Sequence, residues 1–126
     1  MPEQKSPKKK ILVVDDEPLV CEAVKMLLEF DGYEVVTANN GKEALALFGQ
    51  GKFDLVITDY TMPGMKGDDL ALALKTRLPG QAVVMLTAHA EMLKAEAVPL
   101  VGVDQLVNKP FQLTALREAI QKAMAR

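Results

Sequence analysis

A chain of 126 residues, 49% hydrophobic and 25% charged, has the size and balance of one globular domain that buries roughly two thirds of its unfolded surface. No apolar run approaches the ~18–20 residues of a membrane span, and the N-terminal lysines are not followed by the apolar core of a secretory signal. Net charge is −2, divided into +3 over residues 1–10 and −5 over the remainder, which argues against direct nucleic-acid binding by the folded part.

Residues 1–9, with Lys5, Lys8 and Lys9, read as a solvated, disordered basic leader, and 10–126 as the single folded domain. Ile11-Leu12-Val13-Val14 is a short buried-strand signal closing on Asp15-Asp16-Glu17-Pro18. Acids followed by proline also start a helix, with Pro18 in its first turn. That helix carries a stripe of Val20, Val24, Leu27 and Leu28 and stops at Asp31-Gly32. Tyr33 to Ala38 alternates as a partly exposed edge strand would. Asn40, with Glu43 three residues on, resembles a helix cap for Ala44, Leu45, Leu47 and Phe48. Cys21, the sole cysteine, cannot form an internal disulfide. It is expected to be a buried small hydrophobe in a reducing, cytoplasmic setting.

Phe53 to Asp59 is a near-continuous apolar run rich in β-branched residues, as in a strand buried on both faces. It ends on Asp59 and enters the turn signal Pro63-Gly64. Gly67-Asp68 opens a third helix with Leu70, Ala73 and Leu74, ending at Pro79-Gly80. Ala82 to Thr87 is a fourth strand. Segment 90–98 holds strong helix formers that Pro99 should cut or bend. Val103 to Val107 makes a fifth strand, and Phe111 to Ala125 a last helix with Leu113, Leu116, Ile120 and Met124. Five strand–helix alternations predict a doubly wound, five-stranded parallel α/β sheet of order 2-1-3-4-5, a flavodoxin-like (βα)5 fold.

In such a sheet the strand ends share one rim, and that rim is where ligands bind. Asp15 and Asp16 follow the first strand, Asp59 ends the third, Thr87 ends the fourth, and Lys109-Pro110 follows the fifth. Carboxylates gathered within a few ångströms repel, and a hard divalent cation such as Mg²⁺ relieves that repulsion. Lys109 offers a point charge for phosphate oxygens and Thr87 a neutral donor, while Ala88 leaves the approach open. Asp59, central among the strands, is placed to be the nucleophile of an aspartyl phosphate. Asp54, at the other end of the same strand, reads as a solvated or capping acid. Met62 and Met65 read as packing residues.

Asp15-Asp16 after Leu12-Val13-Val14, Asp59 before Met62-Pro63-Gly64 and Gly67, Thr87-Ala88, and Lys109-Pro110-Phe111 together resemble the receiver domain of two-component response regulators, of the chemotaxis-regulator type. The resemblance covers roughly residues 10–125. It implies a phosphorylation switch that is not itself an enzyme with a separate substrate. Asp59 matches the phosphoacceptor, served by a histidine kinase or a histidine phosphotransfer protein. The resemblance assigns Mg²⁺ to Asp16, to Asp15 more indirectly, to Asp59 and to the backbone carbonyl of Thr61. Lys109 and Thr87 would contact the phosphoryl oxygens. His89 and Thr61 fall where the family tunes phosphoryl loss to water. Leu106 departs from the family pattern, which has Tyr or Phe three residues before the lysine. The switch is therefore expected to work through the loop after Thr87 and segment 90–98, with Leu106 as packing.

Other classes fit less well. A nucleotide- or flavin-binding α/β domain would want glycines after the first strand, where this chain has Asp-Asp-Glu-Pro. A hydrolase using Asp59 would want a second acid–base residue two positions on, where Thr61 stands. An unphosphorylated interaction module has no need of Asp16, Asp59, Thr87 and Lys109 together. The chain ends about where a last receiver helix ends, which suits a single-domain regulator and a piece of a longer protein equally.

Overall fold

The computed structural model describes residues 8–88, 93 and 102–125. In chain order they form β1 (Lys10–Val14), α1 (Pro18–Phe30), β2 (Glu34–Ala38), α2 (Gly41–Phe48), β3 (Leu55–Asp59), α3 (Gly67–Arg77), β4 (Val83–Thr87), β5 (Gln105–Asn108) and α4 (Leu113–Ala125). The sheet order is β2-β1-β3-β4-β5, and every neighbouring pair is parallel. This is the flavodoxin-like arrangement expected from the alternation of elements. The expected helix over 90–98 and its break at Pro99 lie outside the described residues.

Side chains alternate across a strand, so each strand feeds two cores. Ile11, Val13, Leu55, Ile57, Val84 and Leu86 face α1 and α4, meeting Val24, Leu28, Leu116 and Ile120. Leu12, Val14, Val56 and Val83 face α2 and α3, meeting Ala44, Phe48, Leu70 and Leu74. All five residues of β3 are buried. Burying one such aliphatic side chain contributes roughly 1.5–3 kcal/mol; β3 is the middle strand of the sheet, and β4 is buried along its whole length as well.

Local chemistry sets the element ends. Asp31 closes α1, and Gly32 at φ 97° lets Gly32 and Tyr33 donate N–H bonds to Glu29 and Leu28 carbonyls. Asn40 Oδ1 accepts the Glu43 N–H at 2.7 Å, and Glu43 Oε1 accepts the Asn39 N–H at 2.7 Å. Asp68 and Asp69 in the first turn of α3 and Lys75 and Arg77 in its last complement the helix dipole. Asp54 accepts the Lys10 N–H at 2.7 Å, which makes it a cap for β1.

Several boundaries differ by one or two residues from the sequence expectation: β1 begins at Lys10 rather than Ile11, β2 at Glu34 rather than Tyr33, β3 at Leu55 rather than Phe53 and β4 at Val83 rather than Ala82. The regular ladder of β5 begins at Gln105 rather than Val103, because Asp104 grips β4 with both backbone and side chain. Its N–H donates to the Val83 carbonyl, while its carboxylate accepts the Val83 N–H at 2.8 Å and Lys75 at 3.1 Å. The last helix begins at Leu113 rather than Phe111. Phe111 packs against the α1–α4 core instead.

Candidate functional site

The carboxyl ends of β1, β3, β4 and β5 meet at one rim. Asp15, just past β1, is 1% exposed; its N–H donates to the Ala38 carbonyl at 3.1 Å and its Oδ1 accepts the Glu17 N–H at 2.9 Å. Asp16 follows and is exposed. Asp59 ends β3 and is 6% exposed. One carboxylate oxygen from each of the three lies within 4.8 Å of the other two. Thr87 ends β4 in a buried position, and its carbonyl accepts the Lys109 N–H at 2.8 Å. The Lys109–Pro110 peptide is cis. The Lys109 ammonium stands 2.9 Å from Asp59 Oδ1 and 3.1 Å from Asp15 Oδ2.

Burial pushes the Asp59 carboxyl above the usual carboxylate range, with the charges of Asp15 and Asp16 acting the same way and Lys109 opposing them. Burial alone would lower the Lys109 ammonium, but its bonds to Asp59 and Asp15 outweigh that and hold it above its ordinary value. Beneath the rim, Cys21 is buried with its thiol 3.4 Å from the Asp15 carbonyl. Burial raises its pKa and the Asp15 charge adds to this, which keeps it a neutral packing group.

Among the described residues, three carboxylates against one ammonium leave an excess of negative charge on hard oxygen donors. Such a donor set fits a divalent cation of the Mg²⁺ kind. Thr61 stands two residues past Asp59 and is exposed, as is Ala88 after β4. Leu106 pairs with Met85 across the β4–β5 ladder and is half-buried. His89 lies outside the described residues. The rim thus gathers Asp15, Asp16, Asp59 and Lys109, with Thr87 at the adjoining strand end.

Three features escaped the sequence. A pair of adjacent aspartates does not reveal that Asp15 turns inward to Lys109 while Asp16 stays exposed. Gly67 was visible as part of a motif, but not its packing reason. A Cβ there would collide with the Asp59 carbonyl oxygen and stand 2.9 Å from Tyr60 Cα. The contact between Met65 and Gly41 joins residues with no sequence signal between them.

A doubly wound α/β domain with an acid cluster and one lysine at its carboxyl edge is the class that fold and rim define. Residues 11–121 match the family described as the response regulator receiver domain, and the chain belongs to that family of two-component systems. It is 38% identical over 120 residues to the chemotaxis protein CheY of Pseudomonas aeruginosa, across 93% of this chain and 97% of that protein. It is also 38% identical over 114 residues to the transcriptional regulatory protein GlrR of Escherichia coli K12, covering 90% of this chain but 26% of GlrR. The chain thus spans about a quarter of that relative's length. A receiver domain protein from Clostridium thermocellum superposes with a TM-score of 0.85 at 38% identity, covering 94% of this chain and 95% of that one. The response regulator TrrA of Thermotoga maritima, solved in complex with Mg²⁺ and BeF, gives 0.83 at 38% identity, with coverage of 91% and 98%. No helix among the described residues is long and apolar enough to cross a membrane.

Proposed function

We propose that this receiver domain takes a phosphoryl group onto Asp59 from the phosphohistidine of a histidine kinase or histidine phosphotransfer protein. It would relay the modified state by a change of conformation, in the cytoplasm. The observation that carries the reading is the meeting of Asp59, Asp15 and the Lys109 ammonium within 3.1 Å contacts at the end of the central strand. In the step itself an Asp59 carboxylate oxygen bonds to phosphorus as the phosphorus–imidazole bond breaks. The electron pair leaves on the imidazole nitrogen. Transfer of this kind depends mostly on positioning and charge neutralisation. Lys109, already paired with Asp59, would follow the phosphoryl oxygens, and the Thr87 hydroxyl would donate to another. Asp15, Asp16, Asp59 and the Thr61 carbonyl would hold Mg²⁺, which when bound neutralises charge on the transferring group. His89 would tune phosphoryl lifetime by governing the attacking water.

A protein phosphodonor has a surface to meet. Leu19, Met26 and Phe30 are 84%, 68% and 85% exposed along one face of α1. Leu19, Ala23, Pro110 and Phe111 line a groove of about 530 Å³ that reaches Lys109. The folded unit is read as 10–126, with 1–9 as a basic leader.

Intact mass before and after incubation with acetyl phosphate and Mg²⁺ tests the proposal. One added phosphoryl group is expected on the parent chain and none on Asp59→Asn. Equal labelling of the two would remove Asp59 from its role.

A further inference from the structure

The loop 60–66 leaves Asp59 and returns to the sheet edge at Gly67. At its base the Gly67 N–H donates to the Tyr60 carbonyl at 3.0 Å. Met62 is buried at 4% exposure in the α2–α3 core. Gly64, at φ 79°, takes a left-handed conformation that side-chain-bearing residues rarely adopt. Beyond that turn Met65 lies directly on Gly41, the first residue of α2. A Cβ at position 41 would stand 2.8 Å from Met65 Sδ, 2.9 Å from its Cβ and 3.0 Å from its Cγ. The nearness of Met65 Cβ matters most, since that atom moves only with the backbone and not by rotation of a flexible end.

The platform under Met65 is a capped helix start. The reciprocal 2.7 Å bonds of Asn39, Asn40 and Glu43 fix the start of α2, and Gly41 is buried there. Met65 and Asp16 line one groove of about 690 Å³, so the contact adjoins the exposed carboxylate of the acid cluster. We infer that Met65 is a positioning residue: seated on Gly41, it fixes loop 60–66 and with it the place of the Thr61 carbonyl relative to Asp16 and Asp59. The inference rests on the metal reading above and adds a device that sets the geometry of that site. It also accounts for a bare glycine opening a helix, where alanine has the higher propensity.

The test uses the full chain without phosphodonor and reads Mg²⁺ affinity, the NMR shifts of residues 60–66 before Mg²⁺ is added, and thermal unfolding. Gly41→Ala and Met65→Ala should each move the 60–66 resonances and weaken Mg²⁺ binding by about tenfold, the lower end for groups that orient a metal ligand. The melting temperature of Gly41→Ala should fall less than overpacking alone would lower it, because the better helix propensity of alanine offsets part of the clash. Met65→Leu, which conserves volume, should keep the affinity. In the double variant the new methyl meets only the Cβ of residue 65, since Sδ and Cγ are gone, so its loss of affinity should fall short of the sum of the two single losses. Unmoved loop resonances with parental affinity in both single variants would overturn the inference, as would fully additive losses. If Gly41→Ala does not fold, Met65→Ala, which only removes atoms, decides the matter. Failure of the parent chain to bind Mg²⁺ would overturn the metal reading, while the loop resonances would still decide whether Met65 holds the loop.

Discussion

Gly67 stands so close to the carbonyl oxygen of Asp59 that the first residue of α3 has no room for a side chain. The atoms in the way are backbone, so they cannot turn aside. Gly67→Ala should therefore displace the end of β3 and cost about 1–3 kcal/mol, as overpacking does. Urea unfolding should show the loss, and labelling by acetyl phosphate should slow with it. Parental stability and labelling in the Gly67→Ala variant would show that the rim tolerates this shift.

Among the described residues, Lys109 is the one ammonium bonded to both Asp59 and Asp15. Lys109→Met keeps most of the stem and removes the charge, leaving two buried carboxylates without it. The fold should lose about 1–3 kcal/mol in metal-free buffer, the cost of stranding a buried polar group. Added Mg²⁺ should restore part of that loss. Denaturant titrations with and without Mg²⁺ check both statements, and a variant more stable than the parent in metal-free buffer would contradict the first.

Far from the rim, Arg117 grips Asp31 with two bonds of 2.7 and 2.8 Å, tying α4 to the end of α1. The guanidinium holds the Asp31 carboxyl below its ordinary range. A depressed carboxylate contributes stability that is complete above its unfolded pKa, about 4, and lost as pH falls through the lower folded value. The stability difference between the parent and Asp31→Asn should therefore be constant at neutral pH and shrink only under acid. Thermal melts from pH 7 to pH 2 would show it, and a difference that grows on acidification would reverse the sign.

Phe30 and Met26 are exposed enough that polar replacement should change stability by no more than about 0.5 kcal/mol. Met26→Ser/Phe30→Ser should accept phosphate from acetyl phosphate at the parental rate. Transfer from a histidine phosphodonor protein should slow several-fold. Equal slowing with both donors would place the defect in the site rather than in docking.

Leu106 is half-buried opposite Met85 and has no hydroxyl to exchange between partners. Leu106→Tyr should leave Asp59 labelling nearly unchanged, with any effect appearing in partner binding. Comparing backbone shifts with and without beryllofluoride in the parent chain checks the underlying view. Shifts concentrated around Leu106, with residues 90–98 still, would refute it.

Strand positions and the identity of the rim acids were legible because buried parallel strands are written as short apolar runs, and Asp59 and Thr87 each end one. The cap at Asn40 was legible from its partner Glu43. What sequence could not carry was contact between distant residues. Nothing local to Asp15 announces Lys109, and nothing local to Gly41 announces Met65. The exposure of Leu19, Met26 and Phe30 was also hidden, since a helix stripe of Val20, Val24, Leu27 and Leu28 accounts for burial without saying what the other face does. Asp104 shifted the start of β5 because its carboxylate competes for the Val83 N–H, a choice visible only once β4 is beside it.

The two outer strands have a bearing on self-association. β2 and β5 are the sheet's borders, and both are short, with five and four residues. Glu34, at the start of β2, and Asn108, at the end of β5, are exposed, and short borders that carry a charged or polar end are poorer templates for a foreign strand than long apolar ones. Copies of this chain that meet in a crowded cell should therefore not zip together edge to edge. Any pairing between them falls to the helices, where a surface such as α1 can be covered and released without extending the sheet.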